Sequence, residues 1–218
     1  MADWVTISSL ATAGGTLVLA VATFSSVKSA NRSARTAERS LLAGLRPLLV
    51  TSRDDDPQER VRFGDGQVVA VPGHGAALVL ANNNIYLAIA LRNGGTGLAV
   101  IHGWRVDVRD RTDSERPKLS DFRRQQRDLY IPAGDTGFWQ GAVRDRQDPG
   151  YDALRAAAVD GSRVLVDILY GDHEGGQRTI SRFGITPRDD VEDGRGDEVE
   201  GRRAEVVRYW NVDREDPR

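Results

Sequence analysis

The sequence predicts a mainly β protein, built as an N-terminal transmembrane helix with a helical extension, then an antiparallel β-sandwich of the Ig-like kind. Three observations carry that reading. The stretch Trp4–Val27 runs 24 residues without a charge, against the roughly 20 residues of helix that cross a hydrocarbon core. After Pro47 the apolar period shortens, and runs rich in Val, Ile and Leu are broken by Gly, Pro and Asn, as short strands are. In "IYLAIALRN" (85–93), Ile85, Leu87, Ile89 and Leu91 take one face while Tyr86, Ala88, Ala90 and Arg92 take the other, the period of two that a strand imposes.

The anchor, "WVTISSLATAGGTLVLAVATFSSV", is diluted by Ser, Thr and Gly, residues common in membrane helices. A cleaved signal peptide and a buried helix of a soluble domain are the rival readings. A signal peptide calls for a basic start, and "MADW" carries an acid instead, although "LAVA" (19–22) has the small residues of a cleavage site. The flanks set the orientation. Asp3 precedes the span, whereas Lys28, Arg32, Arg35, Arg39 and Arg46 follow it against Glu38, a local net of +4. The positive-inside rule then places everything after Val27 in the cytoplasm, with the span in the inner membrane.

Residues 28–46 read as a basic juxtamembrane helix that continues the span. Val27, Ala30, Ala34, Ala37, Leu41 and Leu45 recur at spacings of three and four, which makes one apolar stripe. Lys28, Arg32, Arg35 and Arg39 lie off it. They suit anionic lipid head groups, at roughly 1 kcal/mol per charge near the surface, or they merely enforce topology on a solvated linker. The stripe itself is a candidate self-association seam. Pro47 forbids further helix and makes Arg46 the stop.

Residues 47–218 read as one cytosolic domain. "RPLLVTSR" (46–53), "QVVAVPG" (67–73), "AALVLANN" (76–83), "LAVIHGWRVDV" (98–108), "RDLYIP" (127–132), "GFWQGAV" (137–143), "SRVLVDILY" (162–170), "RTISRFGI" (178–185) and "AEVVRYWNV" (204–212) join residues 85–93 as strands. Only "YDALRAAAV" (151–159) reads as helix. "RDDDPQER" (53–60) and residues 187–202 are charged and lack aromatics, which predicts mobile loops.

The segment "LRNGGTGLAV" (91–100) raises the one motif question. A phosphate-binding loop needs G-x-x-x-x-G-K-[ST] before a helix. Here no lysine follows, and a strand comes next. Asn93, Gly94, Gly95 and Gly97 therefore read as a structural corner: the glycines supply positive φ, and the Asn93 side chain bonds the backbone two residues on. "RPLL" (46–49), the N-x-G-x-G-x-A pattern of Asn93, Gly95, Gly97 and Ala99, "IPAGDTGFW" (131–139) and "YGDHEGGQR" (170–178) together resemble actinobacterial single-pass membrane proteins with a cytosolic β-rich domain. That resemblance covers most of the chain and brings no catalytic residue with it. The arginine bias, with Lys28 and Lys118 the only lysines among 30 basic residues, fits a GC-rich genome.

Several chemistries fall away. The absence of cysteine excludes disulfides, thiolate metal sites and cysteine nucleophiles. A net charge of −2 argues against nucleic acid as a partner, which calls for a concentrated basic surface. "HEGGQ" (173–177) has Gln177 where a zinc protease has its second histidine, and its glycines suit a turn rather than the helix that motif requires. His102 reads as a packed strand residue and His74 as a turn residue. Trp104, Trp139, Trp210, Tyr130, Tyr151, Tyr170 and Tyr209 read as core anchors. No cofactor, metal or catalytic set emerges. The expected function is a membrane-anchored protein- or peptide-interaction module, held in the bilayer by residues 4–27, not an enzyme. The alternative is a small-ligand sensor or enzyme with a pocket between the sheets. A deep polar pocket with converging His, Asp or Arg side chains favours the alternative, and a filled core with a flat or edge-strand surface favours the module.

Overall fold

Helix α1 runs unbroken from Trp4 to Gly44 in the computed structural model, which describes residues 3–108, 115–188 and 201–214. The Thr12 and Thr16 hydroxyls each donate to the carbonyl four residues back at 2.9 Å. These hydroxyls therefore have their hydrogen bonds met within the helix itself. The span Ile7–Leu42 holds a window of mean hydropathy 1.7, so the helix is long and apolar enough to cross a membrane. The chain divides into two compact units, Met1–Gly44 and Leu45–Arg218.

The second unit is mainly β. Its strands are β1 (Leu49–Thr51), β2 (Glu59–Arg62), β3 (Val68–Val71), β4 (Gly75–Ala81), β5 (Asn84–Asn93), β6 (Ala99–Val108), β7 (Arg123–Arg124), β8 (Tyr130–Ile131), β9 (Thr136–Val143), β10 (Val164–Gly171), β11 (Thr179–Pro187) and β12 (Arg202–Asn211), with helix α2 at Tyr151–Asp160. All pairings are antiparallel. β9 lies on one side of β5, and β4 and the short β1 lie on the other. From β4 the path continues through β12, β11, β10 and β6, and β7 and β8 finish it on the far side of β6. The hydrogen bonding turns the corner where Arg202 and Arg203 pair with Ala76 and Gly75. The result is one continuous sheet rather than the two separate sheets of an Ig-like fold. It does not close: its terminal strands β9 and β7 do not pair with each other.

β5 shows why the sheet folds over as it does. Ile85, Leu87, Ile89 and Leu91 join Trp104, Trp139, Val166, Ile168 and Phe183 in the main core. Tyr86, Ala88 and Ala90, on its other face, pack under Val61, Phe63, Val69 and Val71 of the separate β2–β3 hairpin. The alternation read from the sequence thus serves two apolar layers, with large residues facing the deep core and alanines facing the thin hairpin layer. Trp104 and Trp139 meet edge to face with centroids 5.4 Å apart, the arrangement aromatic quadrupoles favour. Trp210, Tyr151 and Tyr170 are buried as expected. Tyr130 is 55% exposed instead, because it sits at the end strand β8.

Polar devices hold the rest. Asn82 and Asn83 take φ of 50° and 60° in the two-residue β4–β5 turn, as a type I′ hairpin requires. Arg202 donates to the Ala157 and Ala158 carbonyls at 2.8 and 3.2 Å, tying β12 to the last turn of α2, where the Ala157 carbonyl also accepts from the Gly161 amide at 3.2 Å. Buried Arg182 and Asp167 pair through two bonds of 2.7 and 2.9 Å. Residues 53–60, expected to be a mobile loop, hold a turn and the start of a strand: the Arg53 amide donates to Asp56 Oδ2 at 2.6 Å, and β2 begins at Glu59. Their charges had hidden a strand whose inward residue, Val61, is fully buried. Of the other expected loop, Pro187 and Arg202 are strand residues, and 189–200 fall outside the described residues.

Candidate functional site

Three of the four segments singled out in the sequence, 46–49, 93–99 and 131–139, meet at one side chain, Asn93. Asn93 is wholly buried at the end of β5. Its Nδ2 donates to the Gly97 and Ile131 carbonyls at 2.7 and 2.9 Å, and its Oδ1 accepts from the Leu48 and Gly95 amides at 3.1 and 3.0 Å. That saturates the amide. Its backbone binds Asp135 and Gly134 of the β8–β9 turn. The fourth segment enters through Tyr170, whose hydroxyl accepts from the Leu49 amide at 3.2 Å. The bond from Asn93 to Gly95 is the one the sequence predicts. The glycines differ from expectation: Gly94, Gly95 and Gly97 do not have positive φ. They are needed because backbone passes against them. A Cβ on Gly95 would meet Leu48 N at 2.5 Å, and one on Gly97 would overlap the Leu45 carbonyl. All four hydrogen-bonding positions of the Asn93 amide are used internally, so that side chain is scaffold.

A second place, the open seam, gathers unused polar groups. Between β7 and β9 lies a cleft of about 930 Å³, roofed by the Arg62–Asp65 end of the β2–β3 hairpin, within the size of ordinary ligand sites. Five arginines line it, Arg62, Arg123, Arg124, Arg127 and Arg144, against one carboxylate, Asp65. Two are neutralised. Arg144 holds Asp65 at 2.9 Å, and Arg123 holds Asp148 at 2.6 Å while lying 5.0 Å over the Trp104 ring. Arg62, Arg124 and Arg127 are exposed and form no ion pair among the described residues; Arg127 reaches only the Arg62 carbonyl at 3.5 Å. In a chain of net charge −2, this is a local concentration of positive charge.

The cleft wall adds unsatisfied groups. Gln125 Nε2 reaches across the seam to the Gln140 carbonyl at 3.2 Å, yet the side-chain oxygens of both glutamines are buried without partners. Gln140 is only 8% exposed, and a buried acceptor left unmet costs on the order of 1–3 kcal/mol. Gly141 lets the indoles pack beneath it, since a Cβ there would meet Trp139 Cζ2 at 2.7 Å. At the roof, the Tyr86 hydroxyl donates to Asp65 Oδ2 at 2.7 Å. That bond, aided by Arg144, holds the Asp65 carboxyl below its usual range and fixes the hairpin over the cleft.

The other candidates are elsewhere. His173 is exposed in the β10–β11 turn, where Asp172 Oδ1 accepts from the Glu174 and Gly176 amides at 3.1 and 2.8 Å, so "HEGGQ" is a turn. His102, on β6, has a buried Nε2 without a partner, and desolvation followed by the Arg178 charge lowers its pKa. His74 donates its amide to Ser52 Oγ at 3.0 Å. No group of three or more metal-ligating side chains occurs among the described residues. Lys28, Arg32, Arg35 and Arg39 are exposed on α1, and their spacings of four, three and four put them on a single face.

The sequence reading missed the cleft because its arginines come from three segments distant along the chain. One local signal pointed to it: "RRQQR" (123–127) packs three arginines into five residues with no acid. No family profile, curated protein or solved structure matches the chain.

Proposed function

We propose that the chain is a single-pass inner-membrane protein whose cytosolic β domain is a non-catalytic binding module, and that the module holds an anionic partner in the arginine-lined cleft. The observation that carries the reading is the set Arg62, Arg124 and Arg127, three exposed guanidiniums facing one cleft with no carboxylate of their own. Positive charge gathered on a low-dielectric wall raises the local concentration of an oppositely charged partner. The space between the folded halves of the sheet is filled by Trp104, Trp139 and Phe183, which supports a surface module over an internal pocket. Lys28, Arg32, Arg35 and Arg39 fit the cytoplasmic side of the bilayer, where anionic lipid attracts basic flanks. The orphaned Gln125 and Gln140 oxygens favour a second reading, a sensor of a small anion that also donates hydrogen bonds.

The test uses the full chain in zwitterionic nanodiscs, titrated with polyglutamate at several salt concentrations. Saturable binding that weakens with salt, and that falls in an R62Q/R124Q/R127Q variant, is the expected result. Binding unchanged by the triple substitution would remove the cleft from the function. A C-terminal reporter pair, alkaline phosphatase against a fluorescent protein, reads the topology: fluorescence without phosphatase activity is expected.

A further inference from the structure

We infer, building on the anion-binding reading above, that the cleft's occupant is an extended acidic peptide segment that adds as a strand to the free edge of β9. The direction of the β9 backbone comes from two independent contacts. The Gln140 carbonyl points into the seam, because Gln125 Nε2 donates to it at 3.2 Å. The Ala90 carbonyl points the opposite way, accepting from the Ser52 amide on the β1 side at 3.1 Å, so Ala90 and its register partner Phe138 do not bond each other. Antiparallel pairs alternate between bonded and non-bonded. Phe138, Gln140 and Ala142 therefore all turn their N–H and C=O away from β5. Among the described residues β9 pairs with β5 alone, and Gln140 and Ala142 line the cleft.

An unpaired strand edge is a template for a further strand. Natural edges are commonly blunted by charge or proline, and β9, "TGFWQGAV", has neither. The guanidiniums stand on the neighbouring elements instead, Arg124 and Arg127 across the seam and Arg62 on the hairpin above. They select a strand with carboxylates, while backbone pairing supplies the register. Gln125 acts as a placeholder, its amide occupying the acceptor that an incoming N–H would take. Nucleic acid fits less well. Single strands bind through exposed aromatic platforms, and the cleft's aromatics, Phe63 and Trp104, are 4% and 5% exposed.

The experiment pairs two probes on the full chain in nanodiscs: a peptide of alternating Glu and Val, and inorganic tripolyphosphate. Hydrogen exchange across residues 137–143 should slow with the peptide and stay unchanged with tripolyphosphate. The same peptide N-methylated at alternate residues, which leaves the protein untouched, should bind at least tenfold more weakly. An A142P variant places proline where the N–H faces the seam, a position edge strands accept. It should lose peptide affinity by a similar factor, a far larger fall than its tripolyphosphate affinity shows. Peptide binding without exchange protection and indifferent to N-methylation would overturn strand addition while leaving anion binding intact. Tripolyphosphate or a short RNA binding more tightly than the peptide would also overturn it. Failure of every anion to bind, with the triple arginine variant equally silent, would overturn the underlying reading as well.

Discussion

The Asn93 corner and the arginine cleft lie at two ends of the same strand system and treat polar groups in opposite ways. At the corner, one buried amide makes four side-chain bonds, and backbone runs so close to Gly95 and Gly97 that no side chain fits. At the cleft, three guanidiniums lack a carboxylate and two glutamine oxygens lack a donor. The corner's chemistry is spent on holding the chain, while the cleft's is left over. That difference separates a residue set kept for stability from one available for binding, and it can be broken experimentally from either side.

The largest effect belongs to the corner. Gly97→Val forces a side chain into the Leu45 backbone and should cost about 4 kcal/mol or more, the range of severe core disruption. Chemical denaturation or a thermal melt reads it, and a near-wild-type midpoint would show that the corner yields. Asn93→Ala comes next, because it strands the Leu48 and Gly95 amides and the Gly97 and Ile131 carbonyls in the interior. A loss of about 3 kcal/mol is expected from buried groups left unpaired. Anion affinity, measured where both proteins are folded, should hold in each case.

The cleft should give the mirror image. Changing Arg62, Arg124 and Arg127 together to Gln removes exposed charges without a partner, so stability should move by no more than about 0.5 kcal/mol. Polyglutamate affinity should fall about 10- to 100-fold, as three charges worth up to ~1 kcal/mol each would give. A large loss of stability in this variant would mean that these arginines are scaffold too, and the contrast between the regions would collapse.

The smallest effect sits at the roof. Asp65→Asn frees Arg144 and should tighten polyglutamate binding about two- to fivefold, the worth of one exposed pair. It also changes the acid limb of stability. The Tyr86 hydroxyl and Arg144 hold the folded carboxyl below 3.8, so the unfolded chain binds the proton more readily. Stability from this group is present above that value and is lost as pH falls through it toward the folded pKa. Melts between about pH 5 and 2.5 should be less steep in the variant. An identical acid profile would show that the Asp65 contacts do not persist in solution.

Much of the frame was legible along the chain. An uncharged run of 24 residues has one economical conformation in lipid, a helix that satisfies its own backbone, and α1 takes that form. The alternation of residues 85–93 fixed which side chains of β5 turn inward, because successive strand residues must face opposite ways. Asn93 announced a tight corner through a local bond, its side chain accepting from the amide two residues on. Short and charged pieces resisted reading. β2 and β7, four and two residues long, are strands because neighbours pair with them, and "ERVR" or "RR" holds no periodic signal of its own. Tertiary structure alone decided why the corner glycines are required, since steric approach by residues 45–48 depends on where the chain returns. It also decided the cleft. Arg62, the 123–127 run and Gln140 through Arg144 are unrelated in sequence, and only a sheet that folds over without pairing its last two strands leaves them lining one cleft, where Arg62, Arg124 and Arg127 have no carboxylate among the described residues.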